Sequence, residues 1–315
     1  MKRRYAYLTP FSHTVGAACL IPTTSYVVQA FASKLLIYDI EDRERKLIKE
    51  HFFDVKGVLQ HFTLLQDLER GCVGCFSDLF RVYVTPTLEV LPKNRTEGLK
   101  GERLCLGAYK KQEIERLRKS PSLTELFPLL FRLGNQVQVA RTEEKGSVFT
   151  LLEQCRSLQR PEQIDEAFRA LFYAGFSAFF LPKQEDNEWH NLYKVEEIEV
   201  PILTLLLETA FWIRSLFFLS GENFLHFLPQ LPPQCVFGKM FDIESRWGKV
   251  DFEWSKKEMY KIRLCCEKGG LLEIRVPSSI KSYRLTYDQK ERRVENKTIV
   301  EVKAGNNYFF DRFEK

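Results

Sequence analysis

The chain changes its hydrophobic period twice, and that double change constrains the fold more than any single motif. From Tyr5 to about Leu91 the apolar segments are short and rich in β-branched and aromatic residues: SYVVQAF, KLLIYDI, GVLQHFTLLQD and LFRVYVT. Gly, Pro, Asp and Ser bound them. In RVYVT and HFTLLQ the apolar residues alternate, as on a strand with one face against a core. Several such runs at regular spacing predict an antiparallel β-sandwich over residues 1–100.

Residues 101–223 switch to a helical period. Ser122 with Glu125 three residues later reads as a capping box before LTELFPLLFRL, with Gly134 suited to the C-terminal cap. Pro128 sits within that run, so a kink near its first turn is expected. A second helix is predicted from Val148 towards Leu158. A third starts at Pro161 and runs to Gly175, with Ile164, Phe168, Leu171 and Phe172 on one face. The fourth is the apolar run Ile202–Leu219. Strands return in residues 224–315. GKVDFEW alternates, MYKIRLCCE and LLEIRVP flank Lys268-Gly269-Gly270 as a hairpin turn, and SIKSYRLTY, TIVEVK and NYFFDRFEK follow. The predicted class is α+β: an N-terminal antiparallel β-sandwich, a short helical middle and a C-terminal antiparallel β module.

Composition narrows the function. The chain has 26 Phe, and large side chains must fill a sizeable core. The net charge of +5 over 315 residues comes without a long basic block, so no nucleic-acid partner is expected. The basic helix AYKKQEIERLRK, Ala108–Lys119, mixes both signs and reads as a solvated face. The eight cysteines lie singly among apolar neighbours, which fits a reducing, cytoplasmic compartment better than a disulfide framework. MKRRYAYLTPF imitates the start of a signal peptide, but Pro10, Ser12, His13 and Pro22 interrupt any apolar stretch. The run Ile202–Leu219 is long enough to span a bilayer, yet Glu208 and Arg214 sit inside it. It is therefore read as a buried helix, with no membrane partner.

Motifs that carry chemistry are scarce. Cys72-Val73-Gly74-Cys75 is a lone C-x-x-C, and residues three apart on a straight strand point to opposite faces, so packing is the expected role and no metal site is predicted. The doublet Cys265-Cys266 lies on a strand, one residue inward and one outward. His13, His51, His61, His190 and His226 form no ligand pattern, and no nucleotide or cofactor loop is present, so no cofactor is expected. The sequons at Asn94 and Asn296 are read as chance matches. In the polar loop KQEDNEWHNLYK, Lys183–Lys194, Trp189 and His190 stand outside any apolar period. They are the candidate ligand-binding residues, because an aromatic ring in a polar loop can stack on a sugar or a partner surface.

One stretch resembles a known family. Residues 208–270, ETAFWIRSLFFLSGENFLHFLPQLPPQCVFGKMFDIESRWGKVDFEWSKKEMYKIRLCCEKGG, look like the C-terminal end of the (α/α)6-barrel glycoside hydrolases of the 1,2-α-L-fucosidase type. The residues that carry the resemblance are Leu228-Pro229, Leu231-Pro232, Gly238, Gly248, Trp254 and Gly269-Gly270. Barrels of that type need more helices than the middle of this chain can hold, and no catalytic residue of the family has a counterpart here. The resemblance therefore implies a shortened, non-catalytic relative that binds carbohydrate. The alternatives are an intracellular protein-interaction scaffold, and a divergent glycosidase working through a facing carboxylate pair.

Overall fold

The computed structural model describes residues 7–41, 46–93, 97–107, 112–137, 146–177 and 201–315. The chain forms two compact units: Met1–Lys100 with Tyr109–Ser157 and Glu166–Thr209, and Gly101–Ala108 with Leu158–Asp165 and Ala210–Lys315.

The first unit holds strands β1 (Phe11–Ser12), β2 (Ala18–Leu20), β3 (Tyr26–Ala30), β4 (Lys34–Asp39), β5 (Lys46–Phe52), β6 (Thr63–Asp67), β7 (Cys72–Phe76), β8 (Arg81–Val84) and β9 (Val90–Leu91). They make two antiparallel sheets, ordered β1-β6-β7-β8-β9 and β2-β3-β4-β5. Cys19, Val28, Leu35 and Ile37 from one sheet share a core with Leu64, Val73, Cys75 and Val84 from the other. The alternation seen in the sequence thus does what it predicts: each sheet turns one apolar face inward. Strand β5 is not legible, because KLIKEHF mixes charged and apolar residues without alternation and is exposed at all but one position.

Helices α1 (Ile114–Lys119), α2 (Leu123–Gly134), α3 (Ser147–Ser157), α4 (Ile164–Leu171) and α5 (Ile202–Phe217) follow. Four expectations change here. Ser122 is the N-cap of α2, but its hydroxyl bonds Thr124 Oγ1 at 3.0 Å, with no side-chain cap bond. Glu125 is instead gripped by Arg116 at 2.9 and 2.6 Å, because a buried carboxylate gains more from a bidentate guanidinium than from a backbone amide. Gly134 lies inside α2, whose C-cap is Asn135 in the right-handed region. The third helix begins with a 3-10 turn at Pro161–Gln163 and widens to a π-turn at Phe172–Phe176, where a Cβ on Gly175 would stand 2.7 Å from Leu205. Finally, α5 stops at Phe217 rather than Leu219. Its two internal charges are paired, Glu208 with Arg156 at 2.5 Å and Arg214 with Glu102 at 3.0 Å. Among the described residues no helix is long and apolar enough to cross a membrane.

The second unit contains β10 (Arg103–Cys105), β11 (Phe218–Ser220), β12 (Phe224–Phe227), β13 (Gly238–Ser245), β14 (Gly248–Ser255), β15 (Glu258–Cys266), β16 (Gly270–Arg275), β17 (Ser282–Tyr287), β18 (Lys290–Glu295), β19 (Ile299–Val302) and β20 (Asn307–Glu314). A seven-stranded sheet runs β10-β13-β14-β15-β20-β17-β18, and a four-stranded sheet runs β11-β12-β16-β19. Phe218 and Phe227 of the small sheet pack on Phe252 of the large one, and Phe217 stacks on Trp254 at 5.3 Å.

Lys268-Gly269-Gly270 does not close a hairpin. β15 pairs with β14 and β20, whereas β16 pairs with β12 and β19, so the glycines carry the chain from one sheet to the other. Gly270 takes φ 151° there with the Trp247 ring against its α-carbon, a space a side chain would need. The β12–β16 pair is parallel, so the small sheet is mixed. Between β12 and β13 the proline-rich connector is tied back. Leu228 N–H donates to Phe217 O, and Gln230 N–H donates to Leu216 O, at 2.8 and 3.1 Å.

Candidate functional site

Of the residues singled out by sequence, Trp189 and His190 lie outside the described residues, as does the Asn94 sequon. Cys72 and Cys75 both lie on the regular strand β7 and are buried. Burial lifts the Cys75 thiol to about 12 and pushes Cys19 up as well, so both are inert side chains of the core. Among the described residues no His, Cys, Asp or Glu cluster could hold a metal. Asn296 is a structural residue. Its Nδ2 donates to Ile280 O at 3.0 Å and Val276 O at 3.3 Å, and its Oδ1 accepts from Val276 N–H at 3.4 Å.

A constellation that the sequence did not mark emerges on the outward face of the small sheet in the second unit. The registers place its side chains in three rows: Leu219–His226–Arg275, Phe224–Glu273–Ile299 and Leu271–Glu301. The alternate residues Phe218, Leu225, Phe227, Leu272, Ile274, Val300 and Val302 fill the core. Period two therefore fixes this face as outward, and yet much of it is aliphatic. Leu271 on β16 is 63% and Ile299 on β19 61% exposed, and Leu219 is exposed at the opposite edge of the sheet, on β11.

The centre of the face is held rigid. The Arg275 Cζ lies over the Phe224 ring, 4.1 Å from its centroid, and Nη2 donates to Glu273 Oε2 at 2.6 Å. The ring is fixed in turn by Gly221, where a Cβ would fall 2.2 Å from Phe224 Cε1. Stacking and the ion pair remove rotamer freedom from a side chain that ordinarily has a great deal. The Arg275 bond holds the Glu273 carboxyl below its usual range. His226 is half-buried, and burial first, then the Arg275 and Lys297 charges, lower its pKa. Glu273 opposes them without cancelling them. Burial and the two cations thus favour the neutral imidazole.

Such a face can bind but offers little for bond-breaking chemistry. It presents an immobilised guanidinium with N–H groups to spare, a neutral imidazole, and an aliphatic margin. Sequence reasoning missed it because its members come from four strands, and only the β12–β16 pairing brings FLHF against LEIR. No protein-family model matches this chain, and no curated protein is significantly similar to it.

Proposed function

We propose that the chain is a protein-interaction scaffold whose docking surface is the outward face of the small mixed sheet. The partner is a protein segment bearing aliphatic side chains around a carboxylate. The observation that carries this reading is the Phe224–Arg275 stack within an exposed aliphatic margin. An arginine already fixed loses little entropy on binding, and buried arginines among apolar contacts are typical hot spots. The aliphatic margin supplies apolar area, and the Arg275 N–H groups not directed at Glu273 can donate to a carboxylate. The carbohydrate reading has weaker support, because the Phe224 ring already carries Arg275 on one face and closes against Gly221, leaving it poorly placed to stack on a sugar. A cytoplasmic location is supported by the burial of Cys19, Cys75, Cys155, Cys235 and Cys266 as small apolar side chains.

The test is a peptide array of acidic-aliphatic segments run beside a saccharide array, with the wild-type chain and the Leu271→Asp and Arg275→Glu variants. Peptide binding that both variants abolish supports the reading. Saccharide binding without peptide binding, or peptide binding indifferent to both substitutions, overturns it.

A further inference from the structure

Strand β12 carries two outward side chains that Arg275 approaches together. In the β12–β16 register His226 stands opposite Arg275 and Phe224 opposite Glu273. The Arg275 side chain leaves its own strand and crosses to β12, where its Cζ lies over the Phe224 ring. His226 is the next residue on that face, about 6.5–7 Å further along the strand. A carboxylate that takes the Arg275 N–H groups not directed at Glu273 therefore comes to rest beside the imidazole.

The charges around His226 can be named element by element. Strand β11 places Leu219 opposite it and contributes none there. The β11–β12 turn holds Glu222, which Arg246 engages at 3.2 Å. Strand β16 supplies Arg275 and Glu273, already paired with each other, and Lys297 before β19 adds a second cation whose field reaches the ring. Glu301 on β19 lies in the row of Leu271, beyond Glu273. Two cations against one carboxylate disfavour an imidazolium here until a second carboxylate arrives.

We propose that docking at this face takes up a proton on His226, so that a partner carboxylate on Arg275 is held more tightly as the pH falls. This rests on the docking reading and adds its regulation. Linkage fixes the direction. In the free face, burial and the two cations hold the His226 pKa below its usual value, and an added anion raises it. A ligand that raises a pKa binds best where the group is protonated. Affinity is lowest above the bound-state pKa, rises as the pH drops through it, and levels off below the free-state value. The partner's own carboxyl group, with an ordinary pKa of about 4, stays ionised through this window.

Calorimetry on the full chain tests this, with the tightest-binding single-carboxylate peptide of the acidic-aliphatic array and its carboxamide counterpart, in buffers of different ionisation enthalpy. Wild type is expected to take up a fraction of a proton per carboxylate peptide bound at pH 6. It is expected to bind that peptide about three- to tenfold tighter at pH 5.5 than at pH 7.5, since an opposite charge at about 4–6 Å changes a proton affinity about tenfold or more. His226→Gln is expected to lose both the uptake and the slope, whatever its affinity, and the carboxamide peptide is expected to show neither. Binding without uptake and slope, or uptake that persists in His226→Gln, overturns this proposal and leaves the docking reading standing. An array in which no peptide binds overturns both.

Discussion

Replacing Arg132 by Ala is expected to loosen the first unit at one definable place. Arg132 lies on α2, is 1% exposed, and belongs to the largest fully buried side chains of the protein. Its Nη1 donates to Lys100 O at 3.1 Å and its Nε reaches Leu68 O at 3.4 Å, while its Nη2 bonds Leu99 O. The segment it holds is a lid over the β6–β7 turn. Leu99 N–H donates to Glu69 O at 2.7 Å, and the Leu99 side chain fills the space where a Cβ on Gly71 would sit, 3.0 Å away. Hydrogen bonds to a charged group contribute about 1.5–3 kcal/mol each, and a carbonyl left buried without a partner costs about 1–3 kcal/mol. Water entering the vacated space offsets part of this, so the expected loss is about 3–5 kcal/mol, the range for breaking a buried charged network. Arg132→Lys keeps the charge but not the planar fork, and is expected to lose about half as much. Hydrogen exchange read on peptides covering 66–71 and 97–101, with urea unfolding followed by circular dichroism, reports the right region. Unchanged exchange there, together with a loss under about 1 kcal/mol, would refute the account of Arg132 as the clamp.

Two other changes have defined outcomes. Gly248→Ala is expected to unfold the β13–β14 turn, since Gly248 has φ 118° and a Cβ would lie 2.1 Å from Cys265 O, a backbone atom that cannot step aside; the melting temperature of the second unit should fall by many degrees. The second concerns acid. Because the folded-state pKa of His226 is lowered, the unfolded chain binds more protons as pH drops below the usual histidine value of about 6.5. Stability contributed by the neutral imidazole is complete above that pH and is lost on acidification, and Glu273, whose pKa is also lowered, acts in the same direction in the carboxylate range. Urea midpoints between pH 7.5 and 5.5 should fall for wild type and flatten in His226→Gln; equal slopes for the two proteins would remove His226 as the source.

The β, α, β order and most strands were legible because binary period survives wherever one face of an element is buried. RVYVT and GKVDFEW form strands as their alternation predicts, and SYVVQAF and KLLIYDI do so as their β-branched and aromatic content predicts. What the sequence hid was relational. β5 could not be recognised because both of its faces are exposed, so no periodic burial marks it. The Gly269-Gly270 turn looked like a hairpin because turn chemistry is local, whereas the choice of partner sheet is decided by strands on either side. The docking face was invisible for the same reason: Phe224 and Arg275 meet only through a parallel pairing, and nothing in either segment announces the other.

One end of the seven-stranded sheet is closed by β10, which is made long before the strand it joins. Arg103 lies opposite Phe241, and Glu102 accepts from Arg214 Nε and from Glu244 N–H, the latter across 142 positions of chain. Such contacts form slowly, because a long loop must close before they contribute anything. During synthesis, residues 103–105 therefore leave the ribosome as an unpaired strand and wait for more than a hundred further residues before their partner appears. Their brevity is a safeguard in that interval: three residues are too few to recruit a wrong strand, and just enough to finish the right sheet once it exists.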